Sequence, residues 1–253
     1  MDLGLKDKVV IVTGGSGGIG SATAIAFGAE GARVAVTFRD NQDGAEATVA
    51  AVRAAGGDGV AIPLDLADPA SIAAGLATVE AHWGALDVLV NNAVAWPAPA
   101  GFPPDFATVP SAQWRDTLRT NLEGSIELTQ AALTPLRKSD AGRIVCVSSG
   151  AVEYGMPGDE VYAAAKSGLQ GFMRCLAREM GPEGVLVNIV MPGLTETDRT
   201  LRYVPDGVRQ MVAQQTPSQH LSTPKDVAAA VVFLGSAANG NITGEIVRVS
   251  GGN

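Results

Sequence analysis

The sequence predicts an α/β fold: a single domain over residues 1–253, with one doubly wound parallel sheet of about seven strands and helices on both faces. Three observations predict it. Short β-branched runs alternate with longer helical segments along almost the entire chain. The first run, Val9-Val10-Ile11-Val12, is apolar at every position, as a strand covered on both faces must be. It leads into Thr13-Gly14-Gly15-Ser16-Gly17-Gly18-Ile19-Gly20 and then an amphipathic segment, so strand, glycine turn and helix form one unit.

In chain order, strands are expected at Val9 to Thr13, Arg33 to Phe38, Gly59 to Pro63, Val88 to Asn91, Arg143 to Val147, Leu186 to Val190 and Glu245 to Val249. Each is a short run rich in β-branched or other apolar residues. Helices are expected between them at Ser21 to Glu30, Asn41 to Ala55, Ser71 to Trp83, Ser111 to Leu136, Val161 to Met180 and Pro224 to Ser236. In such a sheet ligands bind beyond the carboxyl ends of the strands, near the point where strand order reverses. Gly14, Asn91, Ser149 and Pro192 all fall at those ends.

The chemistry is carried by Val161-Tyr162-Ala163-Ala164-Ala165-Lys166, with Ser149 thirteen residues before Tyr162. On a helix, residues at i and i+4 share a face, which sets the Lys166 ammonium beside the Tyr162 phenol. A nearby cation favours phenolate and is expected to draw the Tyr162 pKa from about 10 toward neutrality, where the group both gives and takes a proton. The Ser149 hydroxyl is placed to hold a substrate oxygen. At the other end of the chain, Gly14, Gly18 and Gly20 permit a tight turn, close approach of a pyrophosphate, and a helix start that offers it free N–H groups. Ser21 after Gly20, in place of Lys and Ser/Thr, argues against a P-loop.

Composition narrows the class. A net charge of −8 and a pI near 4.8 argue against a general nucleic-acid or anionic-membrane surface. Cys146 and Cys175 are too few for a disulfide framework, and His82 and His220 have no companions at ligand spacing, so no metal is expected. The start of the chain lacks a basic segment followed by an apolar stretch, and a soluble cytoplasmic protein is expected.

Taken together, these motifs resemble the short-chain dehydrogenase/reductase family across almost the whole chain. The resemblance rests on Thr13-Gly14-x-x-x-Gly18-Ile19-Gly20, Asn91-Asn92-Ala93, Asn121, Ser149, Tyr162 with Lys166, and Pro192-Gly193. Val94 is a departure, standing where the family usually carries glycine. The resemblance implies a Rossmann-type fold and four catalytic residues: Asn121, Ser149, Tyr162 and Lys166. It further implies cofactor contacts at Gly14, Ser16, Gly18, Ile19, Gly20, Asp65, Leu66, Asn91, Ala93, Tyr162, Lys166, Pro192, Gly193, Thr195 and Thr197. Within that set Lys166 would hold the nicotinamide ribose, Asp65-Leu66 the adenine, and Thr197 the carboxamide, while Asn121 would anchor a water linking Lys166 to solvent. Without the family context, Asn121 reads as a local helix irregularity.

Aligned with the family, Phe38 stands where a carboxylate would bind a ribose 2′-OH, and Arg39 follows it. That pattern resembles the NADP(H)-preferring members, with Arg39 clamping the 2′-phosphate. Arg39 paired with Asp40 is the alternative, and an inward Asp40 would favour NAD. The activity implied is NADPH-dependent reduction of a ketone to a secondary alcohol. The substrate pocket is expected to draw on Trp96, Tyr154, Met156, Leu194 and Tyr203, which suit a free hydrophobic or aromatic, polyketide-type ketone. A ketone tethered to an acyl carrier protein is the competing substrate. Arg137 and Lys138 would be its docking cations, and Asp140 and Glu183 count against it. An NAD(P)-dependent alcohol dehydrogenase and a catalytically silent nucleotide-binding regulator are the remaining alternatives. The resemblance also implies a homodimer or homotetramer.

Overall fold

The computed structural model describes residues 1–96 and 105–253. The proline-rich stretch 97–104, expected to help wall a substrate pocket, lies outside the described residues.

The chain begins with β1 (Val9–Val12), α1 (Gly18–Ala29), β2 (Arg33–Phe38), α2 (Gln42–Ala54), β3 (Asp58–Pro63), α3 (Pro69–Trp83) and β4 (Val88–Asn91). It continues through α4 (Ser111–Leu118), α5 (Gly124–Lys138), β5 (Arg143–Val147), α6 (Ala151–Tyr154), α7 (Glu160–Met180) and β6 (Leu186–Pro192). The last elements are α8 (Asp198–Tyr203), α9 (Asp206–Gln215), α10 (Pro224–Leu234) and β7 (Ile246–Val249). The seven strands are parallel in the order β3-β2-β1-β4-β5-β6-β7. Because β1 pairs with both β2 and β4, strand order reverses on either side of it and leaves a crevice at its carboxyl end.

Continuous apolar runs serve both faces of the sheet at once. Ile11, Leu89, Ile144, Cys146 and Ile189 face a layer containing Leu128, Leu169 and Met173 from α5 and α7. Their neighbours Val10, Val12, Val88, Val90, Val145 and Val190 face the opposite layer, with Phe27 from α1 and Val231 from α10. A strand's side chains alternate between faces, so each residue in these runs has a core to enter. Burying one such large side chain contributes about 1.5–3 kcal/mol.

The strand register brings Thr13, Asn91, Ser148 and Pro192 to one edge of the sheet, while the helices return the chain to the other. At that other edge Lys8 is held between Asp87 and Asp140, and Ser139 donates to Asp87 at 2.5 Å. Arg143, 6% exposed, donates there to the carbonyls of Ser236, Gly142 and Asn239 at 3.2, 2.9 and 2.8 Å. These bonds tie the start of β5 to the turn after α10.

Two expectations change. The helix foreseen from Ser111 to Leu136 is two helices joined by a π turn over Arg119–Glu123. Helical periodicity on either side hides one inserted residue, and such turns mark functional positions more often than chance. The segment after Pro192-Gly193 contains α8, capped by the Thr197 hydroxyl at 3.2 Å from Thr200 N, and α9, both absent from the sequence reading because each is short and weakly periodic.

Candidate active site

Tyr162 and Lys166 lie on the inner face of α7 and are 4% and 2% exposed. Lys166 Nζ donates to Val147 O at 2.9 Å and lies 5.9 Å from the centre of the Tyr162 ring. Ser149 leaves the end of β5; its Oγ accepts from Ala151 N at 3.2 Å, which fixes the hydroxyl and leaves its proton for an incoming oxygen. Pro192 O accepts Gly150 N at 2.9 Å, so the exits of β5 and β6 are tied together beneath Ser149. Gln170 donates to Ser148 Oγ at 2.9 Å and steadies the same loop from α7. Three elements, α7, β5 and β6, thereby converge on one phenol, one hydroxyl and one buried amine.

The electrostatics differ from the expectation. Burial pushes the Tyr162 phenol up to about 12; the Ser149 hydroxyl opposes this, Asp159 and Cys146 reinforce it, and Arg199 opposes it. Burial likewise pushes Lys166 below its ordinary value. The predicted fall toward neutrality fails for a physical reason: both groups are dry, and desolvation of phenolate outweighs an ammonium seated against a backbone carbonyl. The chain's own groups keep Tyr162 protonated at neutral pH.

Asn121 is fully buried in the π turn and grips the loop after β4 with both ends of its amide. Its Oδ1 accepts from Ala95 N at 2.9 Å and its Nδ2 donates to Ala95 O at 2.7 Å. The side chain is therefore committed to fixing Ala95, next to Trp96. The helix irregularity and the asparagine that matches the family motif are one feature.

On the other side of the crevice, the glycine turn has the form of a phosphate cradle. Gly14 adopts φ +63°, and a Cβ there would meet Ala93 Cα at 2.8 Å; one on Gly20 would meet Gly14 O at 2.2 Å. No side chain caps the start of α1, which leaves its first N–H groups available to an anion. A Cβ on Gly18 would face only Thr197, at 3.4 Å, so the start of α8 stands directly above the turn. These features fit a dinucleotide pyrophosphate. Ser16, Ile19 and Gly20 belong to the same turn, with Ser16 O accepting from Asn41 Nδ2 at 3.2 Å.

The sequence reading missed the residue that holds this turn. Asn92 donates to Thr13 O at 2.8 Å and to Gly14 O at 3.3 Å, and Thr13 Oγ1 accepts from the N–H groups of Asn92 and Ala93 at 2.9 Å each. Asn91, expected to contact the cofactor, is 3% exposed, and its Nδ2 donates to Thr129 Oγ1 on α5 at 2.9 Å. Two adjacent asparagines on a strand exit point opposite ways, and only the sheet shows which way each points. Of the adenine pair, Leu66 is 4% exposed in the core; Asp65 is the half-buried member, its carboxylate accepting from Ala67 N at 2.8 Å. Arg39 pairs with Asp40 at 2.6 Å, both well exposed. Gly193 N donates to Val249 O at 3.0 Å, and Thr195 Oγ1 donates to Gly193 O at 3.0 Å, so these residues brace the loop carrying Thr197.

Trp96, Tyr154, Met156 and Tyr203 are 39%, 51%, 60% and 48% exposed around the mouth of the site, and Leu194 is half-buried beside it. The indole of Trp96 stacks on the Tyr162 ring at 4.6 Å with a 32° tilt. Tyr154 lies over Gly150, where a Cβ would meet its ring at 2.7 Å. Arg199, absent from the sequence reading, lies 4.7 Å from the centre of the Trp96 ring and 5.1 Å from that of Tyr203. Arg137 and Lys138, read as docking cations, end α5 at the opposite edge of the sheet, and Arg137 pairs with Glu183 at 2.7 Å. Asp140 and Glu183 lie at that edge as well.

A family model described as enoyl-(acyl carrier protein) reductase matches residues 14–253. The 3-oxoacyl-[acyl-carrier-protein] reductase FabG of Escherichia coli K12 is 37% identical over 252 residues, 99% of this chain and 98% of that protein. The chain belongs to the short-chain dehydrogenase/reductase family. This family member is an oxidoreductase, with the parallel Rossmann-type sheet of its structural relatives. A dehydrogenase/reductase from Sinorhizobium meliloti 1021 superposes with a TM-score of 0.91 at 32% identity, covering 99% of this chain and 96% of that one. The promiscuous reductase LugOII, described as catalysing keto-reduction at C1 during lugdunomycin biosynthesis, superposes with a TM-score of 0.89 at 31% identity, covering 98% of each chain. Among the described residues no helix is long and apolar enough to cross a membrane, and no three His, Cys, Asp or Glu side chains cluster as metal ligands.

Proposed function

We propose that this reductase uses NADPH to convert a free hydrophobic or aromatic ketone to a secondary alcohol. The observation that carries the reading is the protonated, buried Tyr162 phenol beside the Ser149 hydroxyl, at the end of a crevice whose other wall is the glycine cradle. A bound nicotinamide supplies the hydride. Ser149 and Tyr162 hydrogen-bond the carbonyl oxygen, and Tyr162 passes its proton to that oxygen as negative charge develops there. Lys166, fixed by Val147 O, faces the Tyr162 ring and stabilises the phenolate that is left. Asn121 keeps Ala95 and Trp96 in place above the ring.

The apolar mouth formed by Trp96, Tyr154, Met156 and Tyr203 supports a free ring-bearing ketone, as does the likeness to LugOII. NADPH preference rests on Arg39 at the end of β2, whose exposed pair with Asp40 opens at little cost. The likeness to FabG keeps a second reading in view, reduction of a carrier-tethered 3-oxoacyl group. Assembly into a homodimer or homotetramer is supported by β7, an edge strand whose residues are mostly half-buried. Tyr162→Phe tests the chemistry: NADPH oxidation by a ketone panel should fall by about 10²- to 10⁴-fold with nucleotide affinity retained. Undiminished turnover would overturn the assignment, and faster reduction of a tethered 3-oxoacyl substrate than of its free analogue would favour the second reading.

A further inference from the structure

Arg199 is in an unusual position for a charged residue of α8. Its guanidinium carbon lies over the rings of both Trp96 and Tyr203, 4.7 and 5.1 Å from their centres. Stacking engages the face of a guanidinium and leaves the N–H groups around its edge free to donate. Among the described residues Arg199 forms no ion pair and no hydrogen bond, and residues 97–104 contain no Asp or Glu. Arg202, one turn on in α8, also lies against Tyr203, at 5.3 Å, but Arg199 alone of the two reaches Trp96; Arg209 and Arg248, by contrast, pair with Asp206 and Glu153. Asp159, the carboxylate whose charge reaches Arg199, lies beyond pairing distance. Among the described residues, a half-buried cation without a hydrogen-bonding partner thus shares the Trp96 indole with the catalytic phenol, since the Trp96 ring centre also lies 4.6 Å from that of Tyr162.

We propose that Arg199 is a specificity-determining residue that selects ketones carrying a carboxylate, placed about one aromatic ring away from the carbonyl. This rests on the ketone-reduction reading above. A carboxylate matches the planar fork of a guanidinium with two parallel hydrogen bonds, and such bonds are strongest where water is partly excluded. Partial burial also holds the Arg199 pKa below its ordinary value, the sign of a charge short of hydration that gains from an anion. With the ketone oxygen on Tyr162 and Ser149, the stack through Trp96 sets the distance at which the carboxylate meets the fork. Contact with Trp96 and Tyr203 limits the positions open to the guanidinium, so the site favours a carboxylate arriving from a restricted direction.

The test compares kcat/KM for 4-acetylbenzoate and for methyl 4-acetylbenzoate, with NADPH, in the native enzyme, Arg199→Met and Arg199→Lys. The native enzyme should favour the acid by about tenfold or more; Arg199→Met should bring the acid-to-ester ratio near one, and Arg199→Lys should fall between. A merely structural role for Arg199 would lower both rates and leave the ratio alone, and that result would overturn the proposal. Binding of the unreactive 4-isopropylbenzoate and 4-isopropylbenzamide, measured by calorimetry on the same three proteins, separates this from the reaction itself. Tighter binding of the benzoate to the native enzyme, lost in Arg199→Met, upholds Arg199 even if neither ketone is reduced, in which case the reduction reading alone falls. Equal binding of the two probes, or no binding of either, refutes the Arg199 assignment whatever the turnover.

Discussion

Replacing Asn92 by alanine removes a side chain that, together with the Thr13 hydroxyl, ties the phosphate turn to the end of β4. Two hydrogen bonds are lost, to Thr13 O at 2.8 Å and to Gly14 O at 3.3 Å. The first is well formed and its acceptor belongs to a residue with no exposed surface; the second is long. An ordinary bond contributes about 0.5–1.5 kcal/mol, and leaving a buried carbonyl without its donor costs about 1–3 kcal/mol, so a total near 2–3 kcal/mol is expected. For a chain of this size each kcal/mol lowers Tm by roughly 2–4 °C, which puts the loss at about 4–12 °C. The turn would also hold Gly14 and Gly20 less firmly, and the Kd for NADPH should rise by about tenfold, the equivalent of about 1.4 kcal/mol. Thermal unfolding with and without NADPH, together with titration of the nucleotide, measures both effects. If Asn92→Ala melts within about 1 °C of the native protein and binds NADPH equally well, the turn is held by something else and the reasoning fails.

Two further outcomes follow from the site's charges. With Tyr162 pushed up to about 12, its proton is present throughout the neutral range, so kcat/KM for reduction should be flat from roughly pH 6 to 9, whereas oxidation of the alcohol, which needs phenolate, should rise about tenfold per pH unit across the same range. Steady-state pH profiles in both directions check the sign, and a fall in reduction centred near neutrality would show that Tyr162 titrates far below the value its surroundings impose. At the end of β2, Arg39→Ala should lower kcat/KM for NADPH by about tenfold relative to NADH, because a phosphate gains most from the planar fork of arginine. Equal losses for both nucleotides would remove Arg39 from the choice of cofactor.

Much of the architecture was legible because burial on both faces of a parallel sheet demands continuous apolar runs, and the seven such runs in the chain coincide closely with the seven strands. The glycine turn was legible for a related reason: a backbone atom 2.2 Å from where a Cβ would sit admits no other residue, so the requirement is written in the residue type. Tyr162 and Lys166 were also readable, since a four-residue spacing on a helix determines a shared face. The π turn was not legible, because one inserted residue leaves the periodicity on each side intact. Nor was the division of labour between Asn91 and Asn92, which depends on which neighbouring layer each side chain enters.

The sequence alone determined which chemical groups this protein has and the order in which strands carry them to a common edge, because hydrophobic period and residue type are local properties of the chain. Tertiary structure alone decided how those groups behave. Burial raised the Tyr162 phenol where spacing on a helix foretold a fall, and packing of α8 against the loop after β4 put Arg199 against Trp96, residues 103 positions apart in the chain. Desolvation and contact between distant segments depend on where the whole chain lies, and no window of sequence contains that information.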